Sequence, residues 1–165
     1  MKAPIRKKVA IRATAAMFAG AAAFVGGWEG LYLKPYRDIV GVVTVCYGET
    51  EGVTMRDAPR TPQQCRDMLA AKLPRYYSEI SVCWGQEVED ALSDEERIAY
   101  VSGAYNFGSG GFCRSSMVVR LKTGDRAGAC HALRLYNRAG GKVVKGLDNR
   151  RRAEEKLCLQ GARRS

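Results

Sequence analysis

Residues 28–50 read WEGLYLKPYRDIVGVVTVCYGET. Much of this stretch is apolar, aromatic or glycine, and Glu29, Asp38 and Thr44 stand out against that background. Val42, Thr44 and Cys46 alternate with Val43, Val45 and Tyr47, which predicts a β-strand, and Gly41 and Gly48 mark its turns. Two carboxylates in such a setting suit acid/base chemistry on a bond that needs both a proton and a nucleophile. The residue types alone leave a plainer reading open, in which Glu29 sits on a surface turn and Asp38 caps a hairpin.

On the N-terminal side, residues 13–27, ATAAMFAGAAAFVGG, carry no charge and are rich in Ala and Gly. Lys2, Arg6, Lys7, Lys8 and Arg12 precede them with no acid between. A basic leader followed by an uncharged segment reads as an export signal. Residues 9–27 approach the length that crosses a bilayer, with the basic side held inside. The alternative is a buried first helix. Sequence therefore divides the chain into a leader and signal-anchor over 1–27 and a folded body over 28–165.

The chain has 165 residues, 46% of them hydrophobic and 27% charged, an ordinary globular balance. Its formal net charge is +10. Beyond residue 12 there remain 22 basic and 17 acidic side chains, so the body is moderately basic. Nucleic acid, anionic lipid or an anionic wall polymer would each account for that excess. No zinc-finger spacing or single-strand-binding motif is present, so nucleic acid is not expected as a partner. Six cysteines, at 46, 65, 83, 113, 130 and 158, form no Cys-x-x-Cys pair, and His131 is the one histidine, so no metal site is expected. An even count fits disulfides in an oxidising compartment, with fifteen pairings open. Pairing 46 with 65, 83 with 113 and 130 with 158 is a guess.

Downstream the chain reads as helices. Thr61-Pro62-Gln63-Gln64 and Ser93-Asp94-Glu95-Glu96 are helix starts of the capping-box type. The first of these helices is predicted to stop at Pro74. Residues 75–90 are ambiguous, with Tyr76, Tyr77, Ile80 and Trp84 spaced like a short helical face. The second helix shows Ile98, Val101 and Tyr105 on one face and ends near Gly108. Ser115 or Ser116 starts another, and Asp125 caps one running to about Asn137, where Gly140-Gly141 follows. The last begins after Asp148 or Asn149. A small hairpin lobe followed by helices is an α+β arrangement, with the carboxylates in a cleft between lobes.

Glu29-Gly30, Tyr36-x-Asp38, Gly41 and Thr44-Val45-x-Tyr47-Gly48-x-Thr50 resemble the active-site hairpin of the phage-type lysozymes, glycoside hydrolase family 24. The resemblance continues through Tyr105-Asn106-Phe107-Gly108, through Tyr136-x-x-Ala139-Gly140-Gly141, and through Gly146-Leu147-x-x-Arg150-Arg151-x-x-Glu154. It implies a two-lobed lysozyme-like fold with Glu29 as acid, Asp38 activating or positioning water, and Thr44 holding that water. It places Asn106 near the cleft and makes Arg150 or Arg151 a support for Glu29. A supporting role is preferred to a direct ion pair, which favours the ionised acid. The acid is expected among apolar groups, with Phe24, Val25 and Leu31 nearby in sequence. Tyr32 and Tyr47 either line the cleft or pack in the core. One departure is Glu49, where the family commonly has a His that forms half of a charge pair, so here the pairing is rebuilt or absent.

The implied activity is hydrolysis of the β-1,4 bond between N-acetylmuramic acid and N-acetylglucosamine in peptidoglycan, without a cofactor or metal. The Ala/Gly-rich segment is similar to that of the signal-arrest-release endolysins. That implies tethering of a monomer to the bacterial inner membrane through residues 9–27, release into the periplasm, and a holin-like lysis partner as an open question. Two rivals stand beside it. A lytic transglycosylase would keep the acid and dispense with the water. A cationic membrane-disrupting or wall-binding protein would need neither carboxylate.

Overall fold

The computed structural model describes residues 8–38 and 40–164; Lys2, Arg6 and Lys7 of the leader lie outside them. Helix α1 (Ala15–Gly26) leads into a hairpin of β1 (Tyr32–Arg37) and β2 (Val43–Cys46). Then come α2 (Pro62–Trp84), α3 (Gln86–Ala91), α4 (Asp94–Phe107), α5 (Ser109–Cys113), α6 (Ser116–Lys122) and α7 (Arg126–Ala132). A second small hairpin, β3 (Arg138–Ala139) with β4 (Lys142–Val143), precedes α8 (Lys145–Ala162). The α+β arrangement expected from sequence is the one observed.

The uncharged stretch after the leader forms α1. Thr14 caps it, its hydroxyl accepting from the Met17 N–H. Met17, Ala21, Ala22 and Val25 are buried against α2 and α4. Small residues let the helices approach closely. A Cβ at Gly20 would lie 3.3 Å from Ile98 Cδ1, and one at Gly26 would lie 3.1 Å from the Tyr47 ring. In this structure α1 is packed as the first helix of the folded domain. Among the described residues no helix is long and apolar enough to cross a membrane.

Helix α2 does not stop at Pro74 but runs through it to Trp84, taking in much of the ambiguous segment. An interior proline removes one backbone hydrogen bond and crowds the preceding turn, at a cost of about 3 kcal/mol. Against this, Leu69, Leu73, Tyr77, Ile80 and Trp84 form one buried stripe on both sides of the proline. At about 1.5–3 kcal/mol for each large apolar side chain, burial outweighs the proline. Both capping boxes form as the sequence indicates, on Thr61 with Gln64 and on Ser93 with Glu96. Helix α4 is buried over a wider arc than its expected face, with every residue from Ala99 to Ala104 buried, because α1, α2 and α8 all pack on it.

The C-terminal boundaries also differ from expectation. Helix α7 ends at Ala132 rather than near Asn137, and α8 begins at Lys145 rather than after Asp148. The Gly140-Gly141 pair, with φ of 55° and 76°, makes the β3–β4 turn instead of simply ending a helix. The three disulfides are Cys46–Cys65, Cys83–Cys113 and Cys130–Cys158, the guessed pairing. They tie β2 to α2, α2 to α5, and α7 to α8.

The hairpin lobe has a small core of its own: Val45, Cys46 and Cys65, with Leu33, Val53 and Met68 against it. Tyr47 packs on this cluster and on the helical core, so it joins the lobes. Glu49 resolves the departure from the family pattern. Its carboxylate pairs with Lys72 of α2 at 3.2 Å and accepts the N–H groups of Thr50 and Glu51. Burial works to raise the Glu49 carboxyl, but the Glu51 N–H and the Lys72 ammonium outweigh it and hold the group below the ordinary carboxylate range.

Two outcomes follow. Ala21→Leu overpacks the α1 groove and should cost about 1–3 kcal/mol in denaturant unfolding. Ala19→Leu, on the exposed side of α1, should leave the midpoint nearly unchanged; equal effects would mean α1 is not packed as described. Lys72→Met should cost about 1 kcal/mol at neutral pH. Because the folded Glu49 carboxyl lies below its unfolded value, that deficit is full above the unfolded carboxylate range, about pH 4–5, and shrinks as pH falls through the folded value. A deficit that persists undiminished at pH 2.5 would contradict the pairing.

Candidate active site

Glu29 follows α1 by three residues, and its N–H donates to Val25 O at 3.2 Å, so the helix carries it directly. Arg150 Nη1, from the second turn of α8, donates to Glu29 Oε1 at 2.6 Å. The same guanidinium donates through Nε to Glu154 Oε1 at 3.1 Å and through Nη2 to Ser102 O and Oγ at 3.2 Å. Ser102 Oγ donates to Glu154 Oε1 at 2.5 Å, and Arg151 Nη2 donates to the same oxygen at 2.9 Å. Arg151 also lies over the Phe107 ring, 5.3 Å from its centroid.

Two arginines and two carboxylates thus form one cluster joining α1, α4 and α8. The side chains of Arg150, Arg151 and Glu154 are 4%, 0% and 0% exposed, whereas Glu29 is 26% exposed. Glu29 is therefore where this charge network meets solvent. Burial pushes the Glu154 carboxyl up, and the two arginines oppose it; burial likewise lowers Arg151. The choice between arginines is decided by geometry. Arg150 touches Glu29, and Arg151 neutralises Glu154 behind it. The contact is a direct ion pair rather than the indirect support expected, but Arg150 divides its charge between Glu29 and Glu154.

Of the apolar neighbours expected from sequence, Val25 is buried in the helical core, Phe24 is half-buried and Leu31 is 41% exposed, and the charged partner of Glu29 is Arg150. Tyr105, on the helical face expected from sequence, also reaches the lobe junction. Its hydroxyl donates to Tyr47 O at 2.9 Å, and burial, followed by the Glu29 charge, keeps it well above its ordinary pKa. It stays a donor at the lobe junction.

Asp38 lies at the end of β1 in the hairpin turn. Its Oδ1 accepts the N–H groups of Val40 and Val42 at 3.0 and 2.9 Å, and its own N–H donates to Val42 O. The backbone thus fixes one carboxylate oxygen, and Oδ2 has no protein partner among the described residues. Thr44 pairs with Tyr36 across the hairpin, is 4% exposed, and donates its hydroxyl to Val42 O at 3.1 Å. With that proton committed, Thr44 can take a water only as acceptor. Tyr32 is 52% exposed and lies against Tyr36 at 4.4 Å between ring centroids, whereas Tyr47 is a packing residue. Asn106 is exposed on the last turn of α4, two residues before the Gly108 C-cap. Arg152 is an exposed side chain paired with Asp148 on α8.

Ser102 and Glu154 are the cluster members not expected as site residues from the sequence. Glu154 was legible in part, since its spacing of four from Arg150 and three from Arg151 puts all three on one helical face. Ser102, on a distant helix, offered no such signal.

The profile of the phage lysozyme family matches residues 26–154. The SAR-endolysin of Bacteriophage PS119 is 38% identical over 135 residues, covering 82% of this chain and 78% of that protein. The SAR-endolysin of Pseudomonas phage phiKMV is 37% identical over 150 residues, covering 88% and 89%. The crystal structure of the active form of the P1 phage endolysin Lyz superposes with a TM-score of 0.71 at 26% identity, covering 92% of this chain and 96% of that one. The matched span runs from the end of α1 to the arginine block of α8, and by it the chain belongs to the phage lysozyme family, whose muramidase-type lysis of the bacterial wall is its function.

Proposed function

We propose that Glu29 is the general acid of this lysozyme, with Asp38 orienting or activating the attacking water. The observation that carries the reading is that Glu29 is the solvent-reaching end of an otherwise buried charge cluster. Arg150 holds Oε1 and so fixes the carboxyl, leaving Oε2 to carry a proton to the departing glycosidic oxygen. Asp38, clamped at Oδ1 by two backbone N–H groups, presents Oδ2 to a water. Thr44 accepts from that water and helps fix its direction. Tyr32 offers an exposed ring face for sugar stacking. The bond cut is the β-1,4 link from N-acetylmuramic acid to N-acetylglucosamine, with inversion at the anomeric carbon. The formal net charge of +10 suits an anionic wall polymer.

The protein is exported and held at the inner membrane by residues 9–27, then released to the periplasm. The two placements of this segment exclude one another. A helix over residues 9–27 would be about 28 Å long, near the thickness of the hydrocarbon core. Helix α1 spans only Ala15–Gly26, with four side chains committed to the domain core. The Ala/Gly composition gives little transfer energy to hold the segment in lipid, which favours release.

Glu29→Gln should retain the fold and lower peptidoglycan hydrolysis by about 10²–10⁴-fold; a fully lytic variant would falsify the assignment of the acid. Product analysis should show reducing ends formed with inversion, and a 1,6-anhydro product would instead mean transglycosylase chemistry. For the tether, membrane-bound protein should have far lower specific activity than released protein. Equal activity in both fractions would remove the case for control by position.

A further inference from the structure

We propose that the face of α3 bearing Gln86, Glu89 and Asp90 is a clasp for residues 10–12, and that this clasp positions α1, and through it Glu29, from the far end of the helix. Among the described residues the chain from 8 to 14 is not helical. Ala10 N–H donates to Gln86 Oε1 at 2.7 Å, and Gln86 Nε2 donates back to Ala10 O at 3.1 Å. Arg12 N–H donates to Glu89 Oε1 at 2.9 Å, and Arg12 Nε donates to Asp90 Oδ1 at 2.7 Å. Three of these four contacts are to main chain, so the clasp recognises an extended strand of chain more than its side chains.

Glu89 is the centre of the device. It is fully buried on a short polar helix and takes no part in the site around Glu29. Tyr77 Oη donates to it from α2 at 2.8 Å, and Trp84 Nε1 at 3.2 Å. Arg97 of α4 lies 3.6 Å from the carboxylate and donates through Nη2 to Glu89 O at 2.6 Å and through Nε to Tyr77 Oη at 3.0 Å. The Tyr77 ring in turn meets Phe18 of α1 edge-on at 5.8 Å. One carboxylate therefore links α2, α3, α4 and the arm before α1, and touches α1 through an aromatic contact. Burying a carboxylate costs free energy unless its partners are complete. With Arg12 N–H withdrawn, one bond at Glu89 would be left unmade, which gives the arm a definite seat.

The clasp matters because the packed face of α1 is weak. Of its four buried side chains two are alanines, so apart from Met17, Val25 and the half-buried Phe18 its packed face is built of small residues. Its C-terminal end delivers Glu29 to Arg150, and its N-terminal end is held by α3, about 18 Å away by helical rise. A helix pinned at both ends cannot slide along its groove, and small displacements of a catalytic group cost rate. Residues 10–12 are positioning residues, since none touches the reacting groups.

Arg12→Pro removes the N–H that Glu89 accepts, whereas Arg12→Ala keeps it and loses only the exposed pair with Asp90. In the full chain, Arg12→Pro is expected to lower kcat on soluble glycan about ten- to a hundredfold with KM unchanged. It should also speed amide exchange across residues 15–26 selectively, while Arg12→Ala stays near the parent in both. A fall in Tm with kcat and α1 exchange unchanged, well below the transition, overturns the proposal, as does equal behaviour of the two variants. Should Arg12→Pro not fold, Gln86→Ala is measured for the same kcat-against-KM split and the same exchange; parental values in both overturn the clasp. The kinetic arm rests on Glu29 as the acid. An active Glu29→Gln protein would sink that reading alone, while the exchange comparison tests the clasp without reference to activity.

Discussion

The ion pair between Arg150 and Glu29 is the contact on which the site depends. It joins the first helix of the domain to the last, across a sequence separation of 121 residues. A lone arginine could not do this from a buried position, because its own charge would need a partner. Glu154 supplies that partner, Arg151 balances Glu154, and Ser102 adds hydrogen bonds from α4. Such a cluster is weak evidence of stability, since apolar residues of similar size often serve a core as well or better. What it contributes is a fixed carboxyl at the surface of a rigid array.

The same economy runs through the hairpin lobe. Its core is too small to stand alone, and three independent ties hold it to the helices. The Cys46–Cys65 disulfide is covalent, the Glu49–Lys72 pair is ionic, and Tyr47 packs into both cores while its carbonyl accepts from Tyr105. Tyr47 is the tie that meets the end of α1, where a Cβ on Gly26 would press on its ring. Asp38 and Glu29 are therefore referenced to one junction, Asp38 through the hairpin backbone and Glu29 through α1. Glu49, where the chain departs from the pattern it resembles, has a charge partner of its own in Lys72.

Helix α1 belongs to two accounts at once. Its composition suits a lipid segment of low hydrophobicity, and its small side chains suit a tight groove between α2 and α4. Ala and Gly serve both, because the feature that weakens a helix in lipid, little side-chain area, also lets helices approach closely. The cost is a thin apolar grip in the folded domain, which places more weight on the contacts at either end.

Local chemistry decided much of what the sequence alone could determine. The capping boxes at Thr61 and Ser93, the strand at Val43–Cys46 and the α+β class all follow from side chains within a few positions of one another. The family pattern around Glu29, Asp38 and Arg150 was legible because its motifs are short and ordered along the chain. Three things required the tertiary structure. Helix α2 continues through Pro74 because a buried stripe on both sides outweighs a local penalty. Glu29 has an arginine partner because Arg150 arrives from the far end of the chain. Arg150 is distinguished from Arg151 because adjacent helical residues point about 100° apart, and only packing decides which of them faces the acid. In each case the deciding partner lies on another element, and no window of sequence contains both halves of the contact.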